Sequence, residues 1–229
     1  MKGVFFLVNS LAEFDFGDLI ARHLASVPVT VGDSMPPLPS GYSLIVPWSY
    51  RHIIPGATAI GNIVVFHSSD LPRGRGWAPI YNAIVQDVPQ YVITGIAASD
   101  DVDAGNILVK ASFAMRPDYT APQLRIWDDE ICLMLIAQML ARLSGGWSLK
   151  GVVQDGEGSW NPRRRPFDGE VNADEPLREM VNHLRASEAS HPAYLLYQGV
   201  RYNMTLTPAE QPVFPADLKI RFYEYPRPP

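Results

Sequence analysis

Between Val64 and Leu108 the chain sets out an apolar run ending in a histidine (VVFH), then the Pro- and Gly-rich SSDLPRGRG. A short helix-forming segment opened by Ala78, Pro79 and Ile80 follows, then a second apolar run (YVITGIAAS) and the turn-rich DDVDAGN. Few folds accept that order. Short apolar runs bounded by turn formers read as strands buried on both faces, and strands alternating with helices imply an α/β fold. The expected architecture is a mostly parallel, twisted sheet flanked by helices, in which ligands collect beyond the carboxyl ends of the strands. His67 falls at such an end. Asp103 is delivered by the next strand, just ahead of Gly105.

The flanking sequence fits the same scheme. Residues 2–8 read as a buried strand and 16–26 as an amphipathic helix, with Leu19, Ile20, His23 and Leu24 at helical spacing. VTVGDSMPPLPSG reads as a loop, YSLIVP at 42–47 as the next strand and GNIVVFH as the one after. Two strands occupy 90–115, and a long helix at 123–143 carries an apolar stripe that Gly145 and Gly146 stop. GVVQDGEGSW is loop-like.

Composition narrows the classes further. With 229 residues, 47% of them hydrophobic, the chain can bury a full core. No stretch reaches the ~20 apolar residues of a membrane span. MKGVFFLVNS has the outline of a short signal peptide, but Glu13, Asp15 and Asp18 follow at once, and a buried first strand explains it better. The single cysteine, Cys132, excludes an internal disulfide framework and sits on the apolar face of a helix as a core thiol, which points to the cytoplasm. The formal charge of −5 argues against nucleic acid, and the five histidines are too scattered to hold a metal.

A histidine facing a carboxylate makes a general acid/base pair, because imidazole titrates near neutrality and the acid favours its charged form. The competing reading is structural: most histidines are hydrogen-bonded scaffold residues, and Asp-Ala-Gly-Asn is a good turn in its own right.

The stretch resembles the catalytic core of the folate-dependent formyltransferases, the family of methionyl-tRNA, glycinamide ribonucleotide and sugar N-formyltransferases. Their pattern runs roughly Asn-x-His-x-Ser-x-Leu-Pro-x-x-x-Gly and, further along, Asp-x-Gly-x-Ile. Here His67, Ser69, Leu71, Pro72, Arg75 and Gly76 match, followed by Asp103, Gly105 and Ile107. SWNPRRRPFDGEVN, the helix-like EPLREMVNHLRAS and the hairpin-like PAYLLYQGVRYNM, turning at Gln198-Gly199, resemble the segment after the catalytic domain.

Several expectations follow from the resemblance. The fold is formyltransferase-like, with a catalytic domain over 1–150 and a small α+β C-terminal extension over 151–229. His67 and Asp103 are catalytic. Tyr50, Arg51, His52, Ile53 and Ile54, with Leu71 and Asp101, line the site of the formyl donor, N10-formyltetrahydrofolate; a plainer reading has the aromatics of 50–54 covering a sheet edge. Ser69, Gly76 and Trp77 meet the amine substrate. No metal is required.

The lack of a Gly-rich loop after the first strand counts against the glycinamide ribonucleotide branch. The acidic charge and the early end of the chain count against the tRNA branch. What remains is a nucleotide-linked amino sugar as substrate, with no nucleic-acid or membrane partner. A homodimer is also expected, to which the aromatic tail RFYEYPRPP could contribute. A non-catalytic folate- or nucleotide-binding homologue and a formyltransferase for a different amine stay open.

Two positions depart from the family: Val65 stands where it places Asn, and Asp70 where it commonly has Leu. Arg163, Arg164 and Arg165 have two readings, a grip on a diphosphate or a solvated loop pairing with acids such as Asp168 and Glu170; the solvated reading is favoured for at least two of the three.

Overall fold

The structure, a computed structural model, describes residues 2–224. In chain order the elements are β1 (Val4–Leu7), α1 (Gly17–His23), β2 (Val29–Gly32), β3 (Leu44–Pro47), α2 (Ala57–Ile60), β4 (Val64–His67), β5 (Arg75–Gly76) and α3 (Pro79–Val85). They continue with β6 (Gln90–Ala97), β7 (Ile107–Ala114), α4 (Ala121–Ser144), β8 (Trp160–Asn161), α5 (Leu177–Arg185), β9 (Ala193–Tyr197), β10 (Val200–Met204) and β11 (Lys219–Phe222).

The opening apolar run forms β1, buried at every position and central in a parallel sheet of order β2-β1-β3. β2 corrects the reading of VTVGDSMPPLPSG as loop. Val29 and Val31 pack on the core, and a Cβ at Gly32 would strike the Phe5 ring. With only Val29 and Val31 apolar, set between Pro28 and the Gly- and Pro-rich stretch that follows, the strand does not show in the pattern.

A second sheet has the order β11-β7-β6-β4, and every neighbouring pair in it is antiparallel. It meets the first where Ile45 of β3 bridges Ile63 in parallel and the Ile45 N–H donates to the Asn62 carbonyl at 2.9 Å. The expectation of a mostly parallel sheet therefore holds only for the first half. An apolar run buried on both faces reads the same in either direction, so periodicity finds the strand without giving its polarity. Loop 98–106, which joins β6 to β7, is too short for the crossover that parallel neighbours need.

α4 lies across this framework. Leu124, Ile131, Leu135, Ile136 and Met139 are wholly buried in a core shared with Phe6, Val46, Val64, Ile93 and Val109. Its end is set by Gly145, whose N–H donates to the Ala141 and Arg142 carbonyls.

Beyond residue 150 the chain remains tied to what precedes it. β8 pairs with β5, and β11 pairs with β7. The β9–β10 hairpin turns at Gln198 (φ 49°) and Gly199 (φ 79°), the left-handed pair a type I′ turn requires. α5 packs Met180 and Leu184 on Val171 and Ala193. Buried Arg185 anchors it by donating to the carbonyls of Arg116 and Tyr119 at 3.1 and 2.9 Å. The expected contact tail starts as a strand: Phe222 packs against Trp147 with the Arg142 guanidinium 4.0 Å from its ring. The rest of RFYEYPRPP, from 225 on, lies outside the described residues. Among the described residues no helix is long and apolar enough to cross a membrane.

Candidate active site

His67 is the last residue of β4, opposite Thr94 of β6. Past it the chain coils tightly. The Ser69 N–H donates to the His67 carbonyl, the Leu71 N–H to the Ser69 carbonyl, and the Ser69 hydroxyl to the Arg73 carbonyl. Buried Thr94 closes the turn by donating to the Ser69 carbonyl at 2.6 Å. This coil brings the Gly74 carbonyl within 2.8 Å of His67 Nε2. A carbonyl only accepts, so Nε2 carries the hydrogen and the neutral ring keeps its lone pair on Nδ1. Nδ1 faces Asp103 Oδ2 at 3.6 Å. The two side chains are 8% and 11% exposed.

Asp103 does not sit at a strand end, as its place in the sequence implied. It lies in loop 98–106 with φ 52°, a conformation that Asp and Asn tolerate far better than other non-glycine residues. Its Oδ2 accepts the Gly76 N–H at 2.9 Å. Its carbonyl accepts Gln154 Nε2 at 2.7 Å, and the same nitrogen donates to the Gly105 carbonyl at 2.8 Å. Gln154 Oε1 in turn accepts from Arg75 at 2.7 Å. Gly105 permits the close approach, since a Cβ there would run into the Ala97 carbonyl.

Gln154 went unmarked in the sequence. So did Ser159, whose hydroxyl accepts the Gly74 N–H at 2.8 Å. Both lie in the segment read as loop, where an amide and a hydroxyl carry no periodic signal.

The two departures from the family pattern have structural reasons. Val65, two residues before His67 and on the same face of β4, packs against the cluster of Leu71, Ile96 and Ile107. Asp70 pairs with Lys110 of β7, which also donates to the Leu71 carbonyl at 2.8 Å.

Leu71 is fully buried in that cluster, and Asp101 is exposed, its carbonyl taken by Ser99 and Ala104. In the segment after β3, Tyr50 and Ile54 are half-buried against Phe5, Leu7 and Ile45, whereas Arg51 and His52 are exposed and Ile53 is 62% exposed. The Arg51 N–H donates to Asn9 Oδ1. β3 reaches β4 in parallel, so this segment and His67 leave the sheet at the same end. Ser69 spends its hydroxyl within the coil. Gly76 (φ 94°) lies so close to the Asn161 carbonyl and the Trp160 ring that a Cβ would not fit, and the half-exposed Trp77 follows it.

Behind His67 runs a buried polar chain. Tyr91 donates to Asp128 at 2.6 Å, the Ser68 hydroxyl bonds to both, and Cys132 Sγ lies 3.9 Å from Asp128. Burial raises the Tyr91, Asp128 and Cys132 pKa values, so Cys132 stays a protonated core thiol, as expected. The neighbouring Asp129 is pushed up to about 7, first by desolvation and then by Asp128.

Arg163 and Arg165 are exposed, as the solvated reading has it, but the expected pairing with acids does not form. Asp168 accepts the Arg165 backbone N–H and Glu170 accepts the Tyr194 hydroxyl. Each guanidinium instead lies over a ring: Arg163 over Trp77 at 4.8 Å, Arg164 over Tyr81 at 3.6 Å and Arg165 over Phe167 at 5.7 Å. No cluster of metal-ligating side chains occurs among the described residues.

No family model matches the chain. A methionyl-tRNA formyltransferase of Heliobacterium modesticaldum is 31% identical over 134 residues, which are 58% of this chain and 42% of that protein. A second, of Koribacter versatilis, is 29% identical over 159 residues, covering 69% of this chain and 49% of that one. The chain thus spans about half the length of the curated relatives it matches.

Among solved structures, a methionyl-tRNA formyltransferase from Clostridium thermocellum superposes with TM-score 0.74 at 20% identity, covering 97% of this chain and all of that one. A sugar N-formyltransferase from Shewanella sp. FDAARGOS_354 gives 0.68 at 18%, covering 93% of this chain and all of that one. HypX from Aquifex aeolicus in complex with tetrahydrofolic acid gives 0.69 at 19%, covering 89% of this chain and 37% of that one. Sequence similarity and shared fold agree: the chain is similar to methionyl-tRNA formyltransferases over about half of their length and has the formyltransferase fold.

Proposed function

We propose that this protein is an N-formyltransferase that moves the formyl group of N10-formyltetrahydrofolate to the amine of a nucleotide-linked amino sugar. The observation that carries this reading is His67 held between the Gly74 carbonyl and the Asp103 carboxylate. With Nε2 committed to Gly74, the basic atom is Nδ1. It takes a proton from the sugar ammonium and frees the nitrogen lone pair for attack on the formyl carbon. Asp103, 3.6 Å away, stabilises the imidazolium that results. That imidazolium then faces the negative charge developing on the formyl oxygen. The tetrahedral adduct collapses by breaking the bond from the formyl carbon to N10: the imidazolium gives its proton to N10, tetrahydrofolate leaves, and the remaining excess proton of the new amide nitrogen passes to Nδ1 and on to solvent. Exposed Ile53 beside half-buried Tyr50 and Ile54 offers an apolar face suited to the folate ring, on the His67 side of the sheet.

A sugar amine is favoured over a tRNA-borne one by the net charge of −5, since a polyanion of that size is gripped by clustered cations over a wide face. The alternative, a homologue that binds folate or nucleotide without turnover, is favoured by the apolar packing of Val65.

The deciding experiment is mass spectrometry of products formed from N10-formyltetrahydrofolate and a panel of nucleotide amino sugars, with methionyl-tRNA alongside. Addition of one formyl group to a sugar amine supports the proposal. Formylation of the tRNA alone, or binding without any product, overturns it.

A further inference from the structure

The run Arg163-Arg164-Arg165 forms one wall of an open cavity of about 810 Å³, completed by Phe167, Asp168 and His191. Three adjacent guanidinium groups repel one another, and a solvated loop ordinarily relieves this with carboxylates. Here none of the three has a carboxylate within ion-pair distance among the described residues. The one acid in the cavity wall, Asp168, is turned to the Arg165 backbone N–H at 2.6 Å. Cation–π contacts with Trp77, Tyr81 and Phe167 place the guanidinium groups without using their N–H groups. Arg164 Nε is buried with no hydrogen-bond partner. Pre-set, unpaired forks of this kind fit phosphate oxygens two at a time.

Apolar rings stand beside the charges: Phe167 is 59% exposed in the cavity wall and Trp160 is 56% exposed just ahead of the arginines. Rings beside guanidinium groups suit a base joined to phosphates rather than a bare anion. The cavity is also tied to the catalytic pair. Arg163 lies over Trp77, and the preceding residue, Gly76, gives its N–H to Asp103.

We infer that this groove is the subsite for the nucleoside diphosphate portion of the amine substrate, with Arg163, Arg164 and Arg165 on the two phosphates and the base against Phe167 or Trp160. This rests on the proposed function for its link to catalysis. The binding claim stands on the groove alone.

The test is calorimetric titration of the full chain with UDP, ADP, inorganic pyrophosphate, uridine and a ten-nucleotide single-stranded RNA, with no formyl donor present. UDP or ADP is expected to bind, uridine at least about tenfold more weakly, and each Arg→Gln change to weaken nucleotide binding by about tenfold or more. Should Arg164→Gln fail to fold, the exposed Arg163→Gln and Arg165→Gln carry the test.

No binding of either nucleotide, or unchanged affinity after all three substitutions, overturns the inference. So does RNA binding that exceeds the nucleotides and is abolished by the same changes. Nucleotide binding through the arginines without formyl transfer to any nucleotide amino sugar sinks the proposed function and leaves the groove. Transfer with arginine-independent binding does the reverse.

Discussion

The Gly74 carbonyl accepts the Nε2 hydrogen of His67 at 2.8 Å, and this contact leaves Nδ1 as the imidazole nitrogen turned to Asp103. The glycine's own position depends on residues far along the chain, through the Ser159 hydroxyl on its N–H. The placing of His67 against Asp103 therefore depends on the loop around Ser159 as well as on the strands.

His67→Gln keeps a donor toward Gly74 but removes the base. Formyl transfer should fall by about 10²–10⁴, with the thermal midpoint little changed. Product mass spectrometry beside a melting curve checks both, and near-normal turnover rules out His67 as the base.

Asp103 separates charge from conformation. Asn accepts the Gly76 N–H and tolerates the left-handed backbone, so Asp103→Asn should fold normally while losing about tenfold or more in rate. Asp103→Ala loses the hydrogen bond as well and should be less stable by about 1–2 kcal/mol. Equal melting of the two variants would contradict the strain argument.

At Val65 the family residue carries a penalty. Val65→Asn places an amide among Leu71, Ile96 and Ile107, and stability should drop by about 1–3 kcal/mol. Turnover per folded molecule should be equal or higher, because the amide adds a donor beside His67. Denaturant unfolding with rates normalised to folded protein reads out the two effects separately.

Gln154→Ala removes the donor to the Asp103 and Gly105 carbonyls and the acceptor for Arg75. The loss should be about 1–3 kcal/mol, with a lower rate and nucleotide affinity held. Amide hydrogen exchange should show loop 98–106 opening first. Unaltered exchange there would mean that Gln154 does not brace it.

Asp129 gives a pH signature. Its folded pKa of about 7 lies above the unfolded value of about 4, so between those values the native chain holds a proton the unfolded chain has released. Stability should decline as pH rises through that window, reaching its full loss above about pH 7. Asp129→Asn should flatten the slope and gain about 1–2 kcal/mol at pH 8, less than full linkage because the carboxyl is only half-buried. Chemical denaturation at pH 5 and pH 8 tests this.

What could be read from the sequence followed from how locally each feature is encoded. The β1, β4, β6 and β7 runs, the α4 stripe and the Gln198-Gly199 turn are local patterns, and each forms where expected. Strand polarity is not local, and the antiparallel half of the sheet was lost for that reason. β2 has only two apolar residues, between Pro28 and a Gly- and Pro-rich stretch, and gives no run to read. In the site, His67 and Asp103 stood out because titratable residues near turn formers are visible, while Gln154 and Ser159 act through backbone carbonyls and N–H groups that any sequence possesses. The arginines were visible as a run, but their stacking on Trp77 and Tyr81, from a helix and loop some eighty positions earlier, was not.

The β5–β8 ladder pairs Arg75 with Trp160 and Gly76 with Asn161. It makes a ruler: one end is marked by the acid that Gly76 holds, and the other by the guanidinium groups that begin two residues past Asn161. Adding a residue between Asn161 and Arg163 would lengthen that ruler, and such a chain should prefer a longer spacer between its amine and its anion.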